Sequence, residues 1–245
     1  MKTKKEITQF YDEYIKYQLE TAFNERQCAL FEKMKLSGLN TKSGVLEIGC
    51  GIGTVTALIS SIVKKGKITA LDISPKSIEV AKKKVVNQSN IIFLAEDILT
   101  YNFENQNFDF ITLFDVLEHI PMEEHGKLFQ KLSTLMHSDS ILLINIPHPH
   151  SISFDRENNP DALQVIDQSL PADFILKNAY DAKMNLHSFI THSVWKENDY
   201  QFIVFDKQRE FSNKKLSEKR NVVEKAEKKL KKIQVRAFAK KYYRL

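Results

Sequence analysis

Three glycines at alternate positions, Gly49, Gly51 and Gly53, follow directly on the apolar run from Val45 to Ile48 and precede a helical stretch that opens at Thr54. Glycine there lets the backbone turn tightly and approach a ligand where a Cβ would collide. Glu47 is an acid inside that otherwise apolar strand, a placement that requires a partner. The spacing is GxGxG and lacks the third-position glycine of the dinucleotide fingerprint, so the chain beyond it must supply the meaning. Asp72 ends the next apolar run in ITALDIS, where a carboxylate can accept both hydroxyls of a ribose and repel a 2′-phosphate. A third run ends in Ala95-Glu96-Asp97-Ile98, and Asp97 can receive an exocyclic amine while apolar neighbours flank a purine. Glycine turn, ribose acid and amine acceptor on successive strand ends describe a nucleoside site.

A second group follows the fourth run. Asp115, Glu118 and His119 stand at i, i+3 and i+4, so a helical turn would put them on one face. Two carboxylates and an imidazole suit a hard divalent cation such as Mg²⁺ or Mn²⁺, and His119 alone suits a general base. The fifth run ends in Asn145-Ile-Pro-His148-Pro-His150, which makes His148 a second candidate base or ligand. Asn24, Arg26, Asp167 and Gln168 can hydrogen-bond a polyhydroxyl acceptor, whereas His187, His192 and Trp195 read as structural. No Ser, Cys or His set forms a nucleophile triad, and no Cys pair has zinc spacing.

The elements that must position these groups alternate. Short apolar strands are expected at Val45 to Gly49, Lys67 to Asp72, Ile91 to Ala95, Phe108 to Phe114 and Ile141 to Ile146. Helices are expected between them at Thr54 to Lys65, Pro75 to Asn87 and Glu123 to Met136. That alternation implies an α/β fold, a doubly wound and mainly parallel sheet that binds ligands at the carboxyl ends of its strands. Lys4 to Leu36 reads as two helices broken near Asn24, and Leu186 to Val194 with Tyr200 to Asp206 as an antiparallel closing pair. Pro147 to Pro171 is too long and irregular for a plain connection and reads as a binding loop or lid. From Glu210 the chain reads as one helix whose Leu216, Val223, Leu230 and Ala237 recur every seven residues.

The 245 residues carry 42% hydrophobic and 27% charged side chains, the composition of a soluble globular protein. The net charge of +5 is unevenly spread: residues 206–245 hold 15 basic against 5 acidic side chains, which leaves the preceding residues with 21 against 26. The cysteines Cys28 and Cys50 make no disulfide framework, and a reducing, cytoplasmic setting follows. The longest apolar run is five residues, far short of a membrane span, and the opening MKTKKEITQFYDEYIKY has no signal-peptide core.

VLEIGCGIGT, LDIS, AEDI and FDFITLFDVLEHI resemble, in that order, the motifs of class I S-adenosylmethionine-dependent methyltransferases over roughly residues 40 to 147. The resemblance implies a seven-stranded, Rossmann-like sheet with a reversed last hairpin. It implies a cofactor site made by Glu47, Gly49, Gly51, Gly53, Asp72, Ile73, Asp97, Ile98 and Phe114, with the adenine between Ile73 and Ile98. Its divisions are an N-terminal helical cap (1–40), a cofactor-binding domain (41–206) with an acceptor loop (147–171), and a basic C-terminal helix (207–245). The turn at Asp115, Glu118 and His119 resembles the metal-binding turn of ubiquinone-pathway O-methyltransferases and of small-RNA 2′-O-methyltransferases. The loop from Pro147 resembles bacterial enzymes of surface-polysaccharide biosynthesis, which implies O-methylation of a sugar or related small polar metabolite with His119 and His148 as catalytic candidates.

Two alternatives stand beside that expectation, an RNA 2′-O-methyltransferase and a non-catalytic cofactor-binding partner subunit. Interleaving of Glu218, Glu224 and Glu227 among the tail lysines, on a chain whose body is acidic, argues against nucleic acid. The expected partners are a small-molecule acceptor and, through the C-terminal helix, a second copy of the chain or a membrane surface.

Overall fold

The computed structural model describes residues 4–21, 23–86, 89–164, 166–208 and 222–242. Seven strands, β1 (Val45–Ile48), β2 (Ile68–Asp72), β3 (Ile91–Ala95), β4 (Phe108–Phe114), β5 (Met136–Pro147), β6 (Met184–His192) and β7 (Tyr200–Lys207), form one sheet in the order β3-β2-β1-β4-β5-β7-β6. The first five are mutually parallel, and β7 runs antiparallel to both β5 and β6. This is the class I methyltransferase arrangement with its reversed closing hairpin. The central strands are apolar without alternation because helices cover both faces, and every residue of β1 and β2 is buried.

Helices α1 (Lys4–Glu20), α2 (Glu25–Leu36), α3 (Thr54–Ile62), α4 (Pro75–Lys84), α5 (His125–Thr134), α6 (Pro149–Asn158) and α7 (Ala172–Asp181) accompany the sheet. Leu128, Phe129 and Leu132 of α5 and Ile175 and Ala179 of α7 pack with Leu46, Ile111, Leu113 and Phe205. On the other side Leu30 and Met34 of α2 and Ile59 of α3 pack with Val45, Phe110, Leu143 and Val204. Each such fully buried side chain contributes about 1.5–3 kcal/mol, and together they fix the strand ends that carry the site.

The break between α1 and α2 has a local cause. Asn24 caps α2, its side chain accepting the Arg26 N–H at 3.0 Å while Gln27 accepts the Asn24 N–H at 3.2 Å. The expected helix from Thr54 ends early, at Ile62, because the amides of Lys64, Lys65 and Gly66 converge on the Thr41 carbonyl. The expected helix from Glu123 begins instead as a 3-10 turn, Met122–Glu124, and Met136 already belongs to β5. Pro147 to Pro171 is more ordered than expected: α6 and a 3-10 turn at Pro160–Ala162 lie within it.

The chain forms two units, Met1–Gln208 and Arg209–Leu245. The second contains helix α8 (Val222–Tyr242); Leu216 and the expected helix start at Glu210 fall outside the described residues. Both cysteines are free thiols, and no helix among the described residues is long and apolar enough to cross a membrane.

Candidate functional site

A cavity of about 760 Å³ opens at the carboxyl ends of β1, β2, β3 and β4, roofed by α1. Its floor is the glycine turn. Gly49 and Gly51 have φ of +73° and +53°, conformations that side chains disfavour. A Cβ on Gly49 would meet Val116 Cγ2 at 2.2 Å, and one on Gly51 would meet Gln18 Nε2 at 2.9 Å. The turn delivers the chain to α3, whose N-terminus has no side-chain cap and whose Thr54 and Val55 line the cavity. Uncapped amides with the positive end of the helix dipole suit a carboxylate.

Glu47 is buried in β1, and Thr56 Oγ1 donates to its Oε2 at 2.6 Å, which supplies the partner that its position demands. Burial pushes its carboxyl up to about 8, against the pull of the Thr56 hydrogen bond. Asp72 accepts the Gly51 N–H at 2.7 Å and the Ser74 N–H at 2.8 Å. The Gly51 bond ties the β1 turn to the end of β2, and with the local Ser74 bond it orients the carboxylate at the cavity wall. Burial raises the Asp72 carboxyl, and the two amides oppose it. Asp97 accepts the Leu99 N–H at 2.8 Å, and Ile73, Ile98 and Phe114 complete the apolar wall. Every cofactor-site residue expected from the sequence, Gly53 apart, lines this one cavity; Gly53 shapes its floor as the left-handed N-cap of α3.

The turn after β4 departs from expectation. Asp115 is left-handed, with φ of +55°, and Leu117–His119 is a 3-10 turn, so the three candidates do not share a helical face. Asp115 Oδ2 pairs with Arg26 Nη1 at 3.0 Å, and its Oδ1 accepts from Asn145 Nδ2 at 3.0 Å. Burial raises the Asp115 carboxyl against the pull of Arg26; burial also opposes the Arg26 charge, but Asp115 outweighs it and holds the guanidinium protonated. Glu118 is buried behind the turn, and its Oε2 has no hydrogen-bond partner. With Asp115 committed to a cation, these residues do not fit a metal, and no three ligand-type side chains among the described residues are arranged to hold one. The expected metal set of Asp115, Glu118 and His119 is therefore not assembled.

His119 lines the cavity as a carboxylate-backed imidazole. Its Nδ1 lies 3.1 Å from Asp167 Oδ1 and also contacts the Ile166 carbonyl. A proton on Nδ1 satisfies both oxygens, which leaves Nε2, 3.9 Å from Glu118 Oε1, as the basic nitrogen. Burial would lower the imidazole, but the Glu118 charge and the Asp167 hydrogen bond prevail and raise it to about 9. His148 plays no part in this cavity. It caps α6, its Nδ1 accepting the His150 N–H, and that role answers why an imidazole stands before Pro149.

Asp167 reaches the site through His119, while Gln168 knits the turn from Glu118 to Met122 by bonds to the Glu118 and Ile120 carbonyls. Sequence reasoning missed the roof. Tyr11, Tyr14, Tyr17 and Gln18 of α1 line the cavity, with the Tyr11 ring 5.9 Å from that of His119. Three buried atoms facing this region, Tyr11 Oη, Gln18 Oε1 and Arg26 Nε, lack protein partners, which fits a polar ligand. Trp195, read as structural, is exposed at the cavity rim. His192 is structural as expected: its Nε2 meets Asn145 Oδ1 at 3.0 Å and so orients the amide that holds Asp115.

Residues 45–139 match the family model described as a methyltransferase domain. The chain is 38% identical over 107 residues to phosphoethanolamine N-methyltransferase of Plasmodium falciparum, a match covering 43% of this chain and 40% of that protein. It is 30% identical over 118 residues to demethylmenaquinone methyltransferase of Staphylococcus epidermidis, covering 47% of each. The chain thus spans about half the length, or less, of these curated relatives. Among solved structures, the N-methyltransferase NodS of Bradyrhizobium japonicum in complex with S-adenosyl-L-homocysteine is similar with a TM-score of 0.64 at 17% identity, covering 82% of this chain and all of NodS. Magnesium protoporphyrin IX methyltransferase of Synechocystis, with bound S-adenosyl-homocysteine, is similar with a TM-score of 0.60 at 16% identity, covering 74% and 81%.

Proposed function

We propose that this chain, whose residues 45–139 match a methyltransferase domain, is a class I S-adenosylmethionine-dependent methyltransferase that methylates a hydroxyl of a sugar or related small polar metabolite. The observation that carries the reading is the Asp167–His119 pair at the wall of the cofactor cavity. S-adenosylmethionine, when bound, supplies a methyl group on a sulfonium, which a nucleophile attacks in line. Asp72 would hold the ribose hydroxyls, Asp97 the adenine amine, and the α3 N-terminus with the glycine turn the carboxylate. A hydroxyl must lose its proton as it attacks, and His119 Nε2 is the base positioned to take it. Asp167 keeps the proton on Nδ1 and stabilises the imidazolium that forms, while α1 keeps water from the reacting centre.

The first test is His119→Gln with S-adenosyl-homocysteine calorimetry and labelled-cofactor assays on a panel of hydroxylated acceptors. Expected are unchanged cofactor affinity and a fall in kcat of about 10²–10⁴-fold. In the unsubstituted protein kcat rises with pH as His119 loses its proton, because only the neutral imidazole is a base. Undiminished kcat in the variant overturns the base assignment. A second reading has its own observation: Glu96, Glu123 and Glu124 line the cavity against Lys127, an excess of acid that suits an amine acceptor. Phosphoethanolamine N-methyltransferase and NodS, by their names, methylate nitrogen. Mass spectrometry of the product, locating the methyl on oxygen or nitrogen, decides between the two.

A further inference from the structure

Methyl transfer leaves α8 without work. This helix spans Val222–Tyr242, about 30 Å at the α-helical rise, and its sequence holds eight Lys or Arg against two Glu. Val223, Ala226, Leu230 and Ile233 fall at i, i+3, i+7 and i+10, a single aliphatic stripe. The stripe is open to solvent, with Val223, Leu230 and Ile233 exposed by 65%, 61% and 56%. Lys225, Lys229 and Lys232, at i, i+4 and i+7, make a cationic row along one edge of it; of the two acids, Glu224 lies away from the stripe and Glu227 borders its other edge.

We infer that α8 docks the protein on an anionic bilayer surface, its aliphatic stripe entering the headgroup boundary and its lysine row meeting lipid phosphates. Both halves of the helix are then used: aliphatic burial gives hold, and each cation near the surface adds about 1 kcal/mol. A second copy of α8 fits less well. In a parallel pair the facing positions Lys229 and Gln234 carry no opposite charges; Glu227 also flanks the stripe, but eight cations against two acids make two such helices repel. Nucleic acid would use the lysines but gives the exposed aliphatic stripe nothing to enter.

The experiment uses the full chain, co-sedimented with vesicles of phosphatidylcholine alone and of phosphatidylcholine mixed with phosphatidylglycerol. Binding is expected only to the mixed vesicles, weakening with salt. In the double variant Leu230→Glu with Ile233→Glu it should fall by at least about tenfold, two buried aliphatics becoming two anions. Calorimetry with S-adenosyl-homocysteine, expected unchanged, verifies that the variant is folded. Equal sedimentation of variant and unsubstituted protein would overturn the inference, as would absence of binding to the mixed vesicles. So would an oligomer in analytical ultracentrifugation that the double variant converts to monomer while vesicles go unbound, since that assigns the stripe to a second copy. Tight binding of an RNA oligonucleotide by a protein that ignores the mixed vesicles would overturn it equally.

Discussion

At the scale of single residues, Asp115 concentrates two unfavourable choices in one position. A non-glycine residue at φ of +55° is strained, and its carboxylate is largely, though not fully, buried. Arg26, Asn145 and, behind it, His192 hold that carboxylate in place, and Tyr200 Oη shares the same guanidinium nitrogen at 3.1 Å. Removing the acid strands a largely buried guanidinium, so Asp115→Ala should destabilise the fold by about 3 kcal/mol in urea unfolding. Asn, which tolerates the left-handed conformation, should recover part of the loss but not the charge pairing. If Asp115→Ala proved neutral, the pair would be no support for the turn that carries His119. None of this could be read from the sequence. The i, i+3, i+4 spacing suggested a helical face, but the left-handed φ depends on a cation from α2 and an amide from β5, neither of them local. His119 was legible as a candidate base, yet its partner Asp167 comes from a loop whose path only the tertiary structure settles.

Among the elements, the β1 turn with α3 was the most legible, because buried parallel strands read as apolar runs and tight turns read as glycine. Gly49 tests the point most sharply. An added methyl meets both a disfavoured φ and Val116 Cγ2 at 2.2 Å, so Gly49→Ala should lower stability by about 3 kcal/mol. It should weaken S-adenosyl-homocysteine as well, through displacement of the turn; calorimetry and thermal unfolding on the same sample read both effects, and unaltered affinity would remove the turn from the cofactor site. Least legible was α1. Its helical character was apparent, but its docking over the cavity depends on Asp12, which accepts the Ser74 hydroxyl at 2.6 Å and pairs with Lys76 Nζ at 3.5 Å. Likewise His148 looked catalytic because imidazole is an uncommon helix cap, and the signal for capping rests with Ser, Thr, Asn and Asp.

For the whole molecule the buried acids set a pH dependence of stability. Glu47 holds its proton up to about 8 when folded, against the ordinary carboxyl range when unfolded, so the folded state binds the extra proton. Its contribution is fully present below the unfolded value of about 4.5 and is lost as pH rises towards 8. His119, raised to about 9, acts in the same direction over the interval above its unfolded value. Glu47→Gln keeps an oxygen for Thr56 to donate to but does not titrate. Its thermal midpoint should therefore fall less between pH 5 and pH 8 than that of the unsubstituted chain, whose slope is at most about 1.4 kcal/mol per pH unit from this group. Parallel slopes would mean that Glu47 ionises in place without penalty.

Gln18 of α1, finally, lines the cavity directly over the glycine turn. Its amide lies within 2.9 Å of where a Cβ on Gly51 would be, and Asp12 holds the same helix against the start of α4. Under the proposed function a cofactor resting on the glycine turn meets α1 at Gln18, so its entry and exit are expected to depend on that helix. The hydroxyl and lysine contacts of Asp12, which hold α1 against the start of α4, are then expected to govern cofactor exchange as well as the placement of the helix.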